Sequence, residues 1–138
     1  MNMKRSMIFS TALIGTVSIA SAENLVDVDE MLCAAGQAQI CLETGECYAA
    51  LPSELSLPEF VVIDTKKETI STTRASGLNR STAFSSYSRA DGLINLQGVQ
   101  SGRAFSFVIH EESGRLTAAI ALDGLTVTVF GMCTDTDL

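Results

Sequence analysis

The chain has 138 residues, of which 46% are hydrophobic and 18% charged, and its formal net charge is −7. This composition suits one domain with a hydrophobic core and excludes a disordered chain. With 16 acidic residues against nine basic ones, it also excludes a protein that binds nucleic acid through the phosphates.

The first 22 residues have the pattern of a secretory signal peptide. Lys4 and Arg5 precede an uncharged apolar stretch over 8–20, and Ala20-Ser21-Ala22 is a cleavage site of the A-x-A type. The apolar stretch is too short to cross a bilayer core of roughly 30 Å, which disfavours the alternative of a retained membrane anchor. The sequence therefore predicts a periplasmic or secreted protein, one domain over 23–138, with no membrane contact after cleavage.

Acidic residues are concentrated in the first part of the predicted mature chain. Loss of Lys4 and Arg5 leaves seven basic against 16 acidic residues, a formal charge of −9. Residues 23–65 contain nine acids and no base. We interpret this segment as a solvated face; the alternative is a docking surface for a basic partner or a divalent cation.

Four cysteines predict two disulfides, because an even number in a small exported protein is typical of a disulfide framework. We expect Cys41 to pair with Cys47 across a turn at Thr44-Gly45, and Cys33 to pair with Cys133. Zinc is the competing interpretation, but the spacing contains no C-x₂-C pair. No metal ion and no cofactor is predicted.

The segment over 23–58 permits two interpretations. Asp27 and Glu30 could form a capping box for a short helix over 28–35. We prefer a strand over about 32–42, paired with a second strand over 47–51. Pro52 and Pro58 then bound a loop.

From Phe60 onward, short β-prone runs alternate with turn signals, and we expect an all-β fold. The spacing predicts an antiparallel meander of about seven to nine strands, as a closed or nearly closed barrel or sandwich. If the first strand pairs with the last, Cys33 lies beside Cys133 and the barrel closes without an exposed edge. The predicted runs are 60–64, 68–73, 80–87, 93–97, 103–110, 116–120 and 125–130.

One loop carries the best candidate for binding a small anion. Arg74, Asn79 and Arg80 flank a glycine, and two guanidinium groups with an amide suit a carboxylate or a phosphate. The alternative is structural, with Arg80 paired to the acidic front half of the same chain.

No residues are predicted to be catalytic. His110 is the only histidine, and it ends a strand beside Glu111 and Glu112; we interpret it as an exposed hairpin residue rather than a general base. The sequence has no G-x-S-x-G elbow, phosphate-binding loop or H-E-x-x-H motif. The paired acids Asp27/Asp29 and Asp135/Asp137 are interpreted as solvated termini rather than calcium ligands.

Several stretches resemble a group of small exported proteobacterial proteins without assigned function. The resemblance implies secretion and a compact β domain, and it implies no activity and no site residues. The similar stretches are Leu32-Cys33-Ala34, Cys41, Gly45-Glu46-Cys47, 58–64, S-T-T-x-A-S-G-x-N-R over 71–80, L-Q-G-V-x-x-G-R-A-F-S-F-V-I over 96–109 and V-F-G-x-C-T over 129–134.

Three functions remain open at this point. The first is a non-enzymatic binding or interaction module for a periplasmic protein or a small anion. The second is an inhibitor of a secreted or cell-wall hydrolase, acting through a loop at 74–80 or 99–102. Periplasmic lysozyme inhibitors are similar only in size and architecture, since their S-G-x-x-Y loop is replaced here by Ser101-Gly102-Arg103-Ala104-Phe105. The third is an enzyme using His110 or a carboxylate pair in a pocket.

Overall fold

The computed structural model describes residues 24–136, so the predicted signal peptide and the start at Glu23 lie outside the described residues. The fold is all-β and antiparallel, as predicted, with β1 in place of the alternative helix over 28–35. Between residues 24 and 136 no helix is long and apolar enough to cross a membrane. The strands are β1 Glu30–Leu42, β2 Cys47–Ala50, β3 Phe60–Asp64, β4 Thr69–Thr72, β5 Ser81–Ala83, β6 Ser86–Ala90, β7 Leu93–Gln100, β8 Arg103–His110, β9 Arg115–Leu122 and β10 Leu125–Asp135; two 3₁₀ turns cover Pro52–Leu55 and Arg74–Ser76.

The sheet curls until its two edge strands are adjacent in the chain. The strand order is β5-β4-β3-β1-β10-β9-β8-β7-β6, with β2 paired to β1 beside β3. The predicted pairing of the first strand with the last is confirmed, but β1 also pairs with β3, so this contact alone does not close the barrel. The edge strands of the sheet are β5 and β6, and Phe84 and Ser85 are the two residues between them in the chain.

The predicted single strand over 80–87 is divided at this link. The Phe84 N–H donates to the Glu68 carbonyl beside β4, and the next N–H, of Ser85, donates to the Gln97 carbonyl of β7. The chain thus changes hydrogen-bonding partner from one end of the sheet to the other. The result is a nearly closed barrel in which β5 and β7 lack a backbone ladder.

A β-bulge in β1 decides which cysteines face the core. Before it, Met31 and Cys33 are buried; after it, Ala38 and Ile40 are buried, so the inward positions change from odd to even numbers. The register to β10 shifts between Ala35 and Gln37, which places the extra residue at Gly36. Without this residue the second half of β1 would turn its apolar side chains to solvent.

Both predicted disulfides are confirmed. Cys33–Cys133 joins directly opposed residues of β1 and β10 inside the barrel, and Cys41–Cys47 joins β1 to β2 on its outer side. The described residues contain no free cysteine. Two disulfides indicate an oxidising, extracytoplasmic environment.

One end of the barrel, which we call the base, is filled and covered. Ile94, Leu96 and Ile109 are fully buried there. Leu25 of the leading segment is also fully buried, and its N–H donates to the Glu111 carbonyl. The leading segment therefore covers the base.

The turn after β3 provides a pH-dependent contribution to stability. The Asp64 carboxylate accepts the N–H groups of Lys66 and Lys67 at 3.0 and 2.9 Å and lies 3.3 Å from the Lys67 Nζ. The backbone hydrogen bond from Lys67 is the main cause that lowers the pKa of Asp64, against burial, which raises it.

We expect Asp64→Asn to lower the free energy of unfolding by about 1–2 kcal/mol at pH 7, because the substitution removes charge-assisted hydrogen bonds. A depressed folded pKa stabilises only the ionised state, so the difference shrinks as the pH falls below about 4. Urea denaturation at pH 7 and pH 3 measures it. A difference that does not change with pH would contradict the assignment.

Candidate binding site at the barrel mouth

The end opposite the base, which we call the mouth, opens into a cavity of about 560 Å³. The two-residue hairpin at Ser101 and Gly102, both with positive φ, connects β7 to β8 at one side of it. The segment after the first 3₁₀ turn, Ser56 to Pro58, borders another side. The volume lies within the 300–1,000 Å³ range that is typical of small-molecule pockets.

Part of the cavity lining is apolar. On β8, alternation places Phe105 and Phe107 on the same face as the fully buried Ile109. These two rings remain only half-buried, because the cavity lies beside them. The apolar lining consists of Leu57, Val61, Ile70, Phe105, Phe107 and Ile120.

A close approach between strands permits this lining. Gly98 of β7 is paired directly with Phe105, and a Cβ atom on Gly98 would lie 2.4 Å from the Phe105 ring. The glycine therefore lets the ring lie across the neighbouring strand. A side chain there would push the ring toward the cavity.

The rim of the cavity is polar and contains no carboxylate among residues 24–136. The Thr82 hydroxyl of β5 donates a hydrogen bond to the Gln100 amide oxygen of β7, joining two strands that have no backbone ladder between them. Thr72 and Asn79 also line the rim. Hydroxyl and amide groups here supply hydrogen bonds without negative charge.

Two arginines lie at the rim. Arg103 begins β8 on the inward face, two positions before Phe105, and its guanidinium has no ion pair within the described part of the chain. Arg80 precedes β5; its backbone is bonded to Thr72, and its guanidinium donates to the Ser56 carbonyl at 3.4 Å. Across residues 24–136, the acids of the front half do not form an ion pair with Arg80 either.

The structure divides the predicted anion-binding set. Asn79 and Arg80 line the cavity, whereas Arg74, in the second 3₁₀ turn, does not. Arg103 was missed, although the alternation that placed Phe105, Phe107 and Ile109 on one face extends to it. Because Arg103 lies 23 residues along the chain from Arg80, only the curled sheet brings both to one opening.

The other candidate residues lie elsewhere. His110 ends β8 near the base, about 23 Å from Arg103 at 3.3 Å per residue, and its Nδ1 is 3.0 Å from the Ser113 hydroxyl. It does not line the mouth cavity. Among residues 24–136, no three His, Cys, Asp or Glu side chains are grouped closely enough to hold a metal ion.

No family model matches this chain, and neither a curated protein nor a solved structure matches it. What the cavity accepts must therefore be inferred from its shape, its lining and its charge.

Proposed function

We propose that this protein is a non-enzymatic binding module, exported to the periplasm or secreted, that takes a small anionic molecule into the mouth cavity. The observation that carries the proposal is the pair Arg80 and Arg103 above an apolar wall, with no carboxylate in the lining between residues 24 and 136. In a chain with 16 acidic residues, this opening is a local positive site. A protein so acidic overall gains no general affinity for anions, so binding would be confined to this opening.

The two guanidinium groups at the rim are available to bind an anion. Three of the basic side chains already have carboxylate partners: Lys66 with Asp29, Lys67 with Asp64, and Arg89 with Glu111. Arg103 and Arg80 have none within the described residues. An anion between them would form charge-assisted hydrogen bonds without first breaking an ion pair.

The lining supports binding rather than catalysis. Its hydroxyl groups, including Thr72 and Thr82, lie beside no histidine, carboxylate or lysine of the described chain that could accept a proton. A serine or threonine hydroxyl is a weak nucleophile unless a neighbouring base activates it. The Thr72 and Thr82 hydroxyls donate to the Arg80 carbonyl and the Gln100 amide oxygen, so we assign them to the structure of the rim rather than to a reaction.

The test uses anilinonaphthalene sulfonate, an apolar anion that fluoresces when it leaves water. We expect saturable one-to-one binding to the disulfide-bonded protein, and we expect Arg103→Gln and Arg80→Gln each to weaken it about tenfold, since each removes a charged hydrogen-bond donor. Arg74→Gln is the matched control, being an arginine of the same loop outside the cavity, and should bind as the unmodified protein does. Equal binding by all variants would show that the probe binds elsewhere and would overturn the proposal.

A further inference from the structure

We infer that the ligand is an anionic amphiphile, an aliphatic chain ending in a carboxylate or phosphate head, bound with the head at the mouth and the chain toward the base. The inference rests on the proposed function and names its ligand class. Arg103, Phe105 and Phe107 follow one another on the inward face of β8. A charged side chain at the mouth is therefore followed by two apolar side chains along the same strand.

The depth of the cavity suits a chain rather than a small ion. From Arg103 to Phe107 the strand rises about 13 Å, at 3.3 Å per residue. Phe107 packs against the two clusters of buried side chains and forms the floor, and Ile120, which is paired with Phe105, lies on the wall above it. An inorganic anion at the rim would leave this apolar wall in water, whereas an aliphatic chain would cover it.

The apolar wall that β8 and β9 form disfavours a sugar or a peptide. Phe105, Phe107 and Ile120 offer no hydrogen bond there, whereas the inward polar groups Thr72 and Thr82 lie on β4 and β5. A buried hydroxyl or amide of a ligand would remain unpaired there, at a cost in affinity. An aliphatic chain has no polar group that would be left unpaired there.

The head is assigned to the rim by charge and by geometry. Guanidinium groups match both oxygen atoms of a carboxylate or a phosphate, and the Asn79 amide lines the same opening as Arg103 and Arg80. A neutral or cationic head of the same chain length would lack these interactions. Carboxylate and phosphate share the chemistry, and the experiment distinguishes them.

The test measures displacement of bound anilinonaphthalene sulfonate by hexanoate, octanoate, decanoate, decyl phosphate, decanol and decyltrimethylammonium, below micelle-forming concentrations. We expect affinity to rise roughly fourfold per added methylene from hexanoate to decanoate. We expect decanol and the cation to bind at least tenfold more weakly than decanoate. The stronger of decanoate and decyl phosphate identifies the head group.

Variants separate the two halves of the site. Arg103→Gln should remove most of the difference between decanoate and decanol, with Arg74→Gln as the unaffected control. Ile120→Phe, which fills space beside Phe105, should reduce the gain in affinity per methylene; its amide NMR spectrum verifies folding.

Three failures are distinguishable. If the fluorescent probe binds through the arginines but no alkyl anion displaces it, the ligand class is wrong and the proposed function stands. If decanol competes as well as decanoate, the head assignment is wrong. If the probe does not bind at all, the proposed function itself fails.

Discussion

Removing the Cys33–Cys133 bond by the double substitution Cys33→Ala/Cys133→Ala is expected to lower the free energy of unfolding by roughly 5 kcal/mol. The bond closes a loop with a sequence separation of 100 residues, and the chain-entropy relation assigns about 4.7 kcal/mol to such a loop. Both side chains lie in the core, 1% and 5% exposed, so the lost sulfur atoms add to the effect. Because the free energy of unfolding of native domains is only about 5–15 kcal/mol, the variant should be close to unfolded at 37 °C.

The second disulfide supplies the control. Cys41–Cys47 has a sequence separation of six and lies outside the core, so Cys41→Ala/Cys47→Ala should cost about 2 kcal/mol. Urea denaturation of both double variants and of the unmodified protein measures the contrast. Equal losses would show that loop length does not govern the effect.

Arg89→Ala is expected to cost about 3–5 kcal/mol, because it leaves a buried carboxylate without its partner. Arg89 lies 3.1 Å from Glu111 Oε1, and these side chains are 21% and 11% exposed. Its guanidinium also donates to the carbonyls of Leu25 and Val28 at 3.2 and 2.6 Å. One arginine therefore holds the leading segment over the base of the barrel.

Three measurements make this expectation specific. Within residues 24–136, the Arg115 Nε donates only to the Ser113 hydroxyl. Arg115→Ala should therefore change the free energy of unfolding by less than about 0.5 kcal/mol. Arg89→Met/Glu111→Leu should recover part of the loss, because no unpaired charge remains. Amide exchange at Leu25, whose N–H donates to Glu111, should accelerate in Arg89→Ala. A loss below 1 kcal/mol would show that solvent screens the pair.

Much of the fold could be predicted because strand patterning is local. Turn signals at Asp91-Gly92 and Ser101-Gly102 bounded β7, and residues 60–64 and 103–110 were predicted with the observed ends of β3 and β8. The short β5 and β6 were merged, since the change of partner at Phe84 depends on which strands lie on either side. That information is absent from the segment itself.

The bulge at Gly36 was also missed, for a different physical reason. Period-2 alternation in β1 is interrupted by one residue, and a lone glycine has several interpretations, including a helix end. The register to β10 resolves them. The same bulge explains why one disulfide faces the core and the other faces outward.

The sequence by itself determined the strand-turn rhythm, because turns and alternation are properties of neighbouring residues. It favoured both disulfide pairs and indicated Arg80 and Asn79 as candidate anion ligands from their side-chain chemistry. Only the tertiary structure decided that Arg103 and Arg80 line one cavity, that Arg74 does not, and that this cavity has an apolar wall. These facts depend on the curl of the sheet, which sums the twist and register of strands far apart in the chain. A cavity is space that distant segments leave unfilled, and no single segment encodes it.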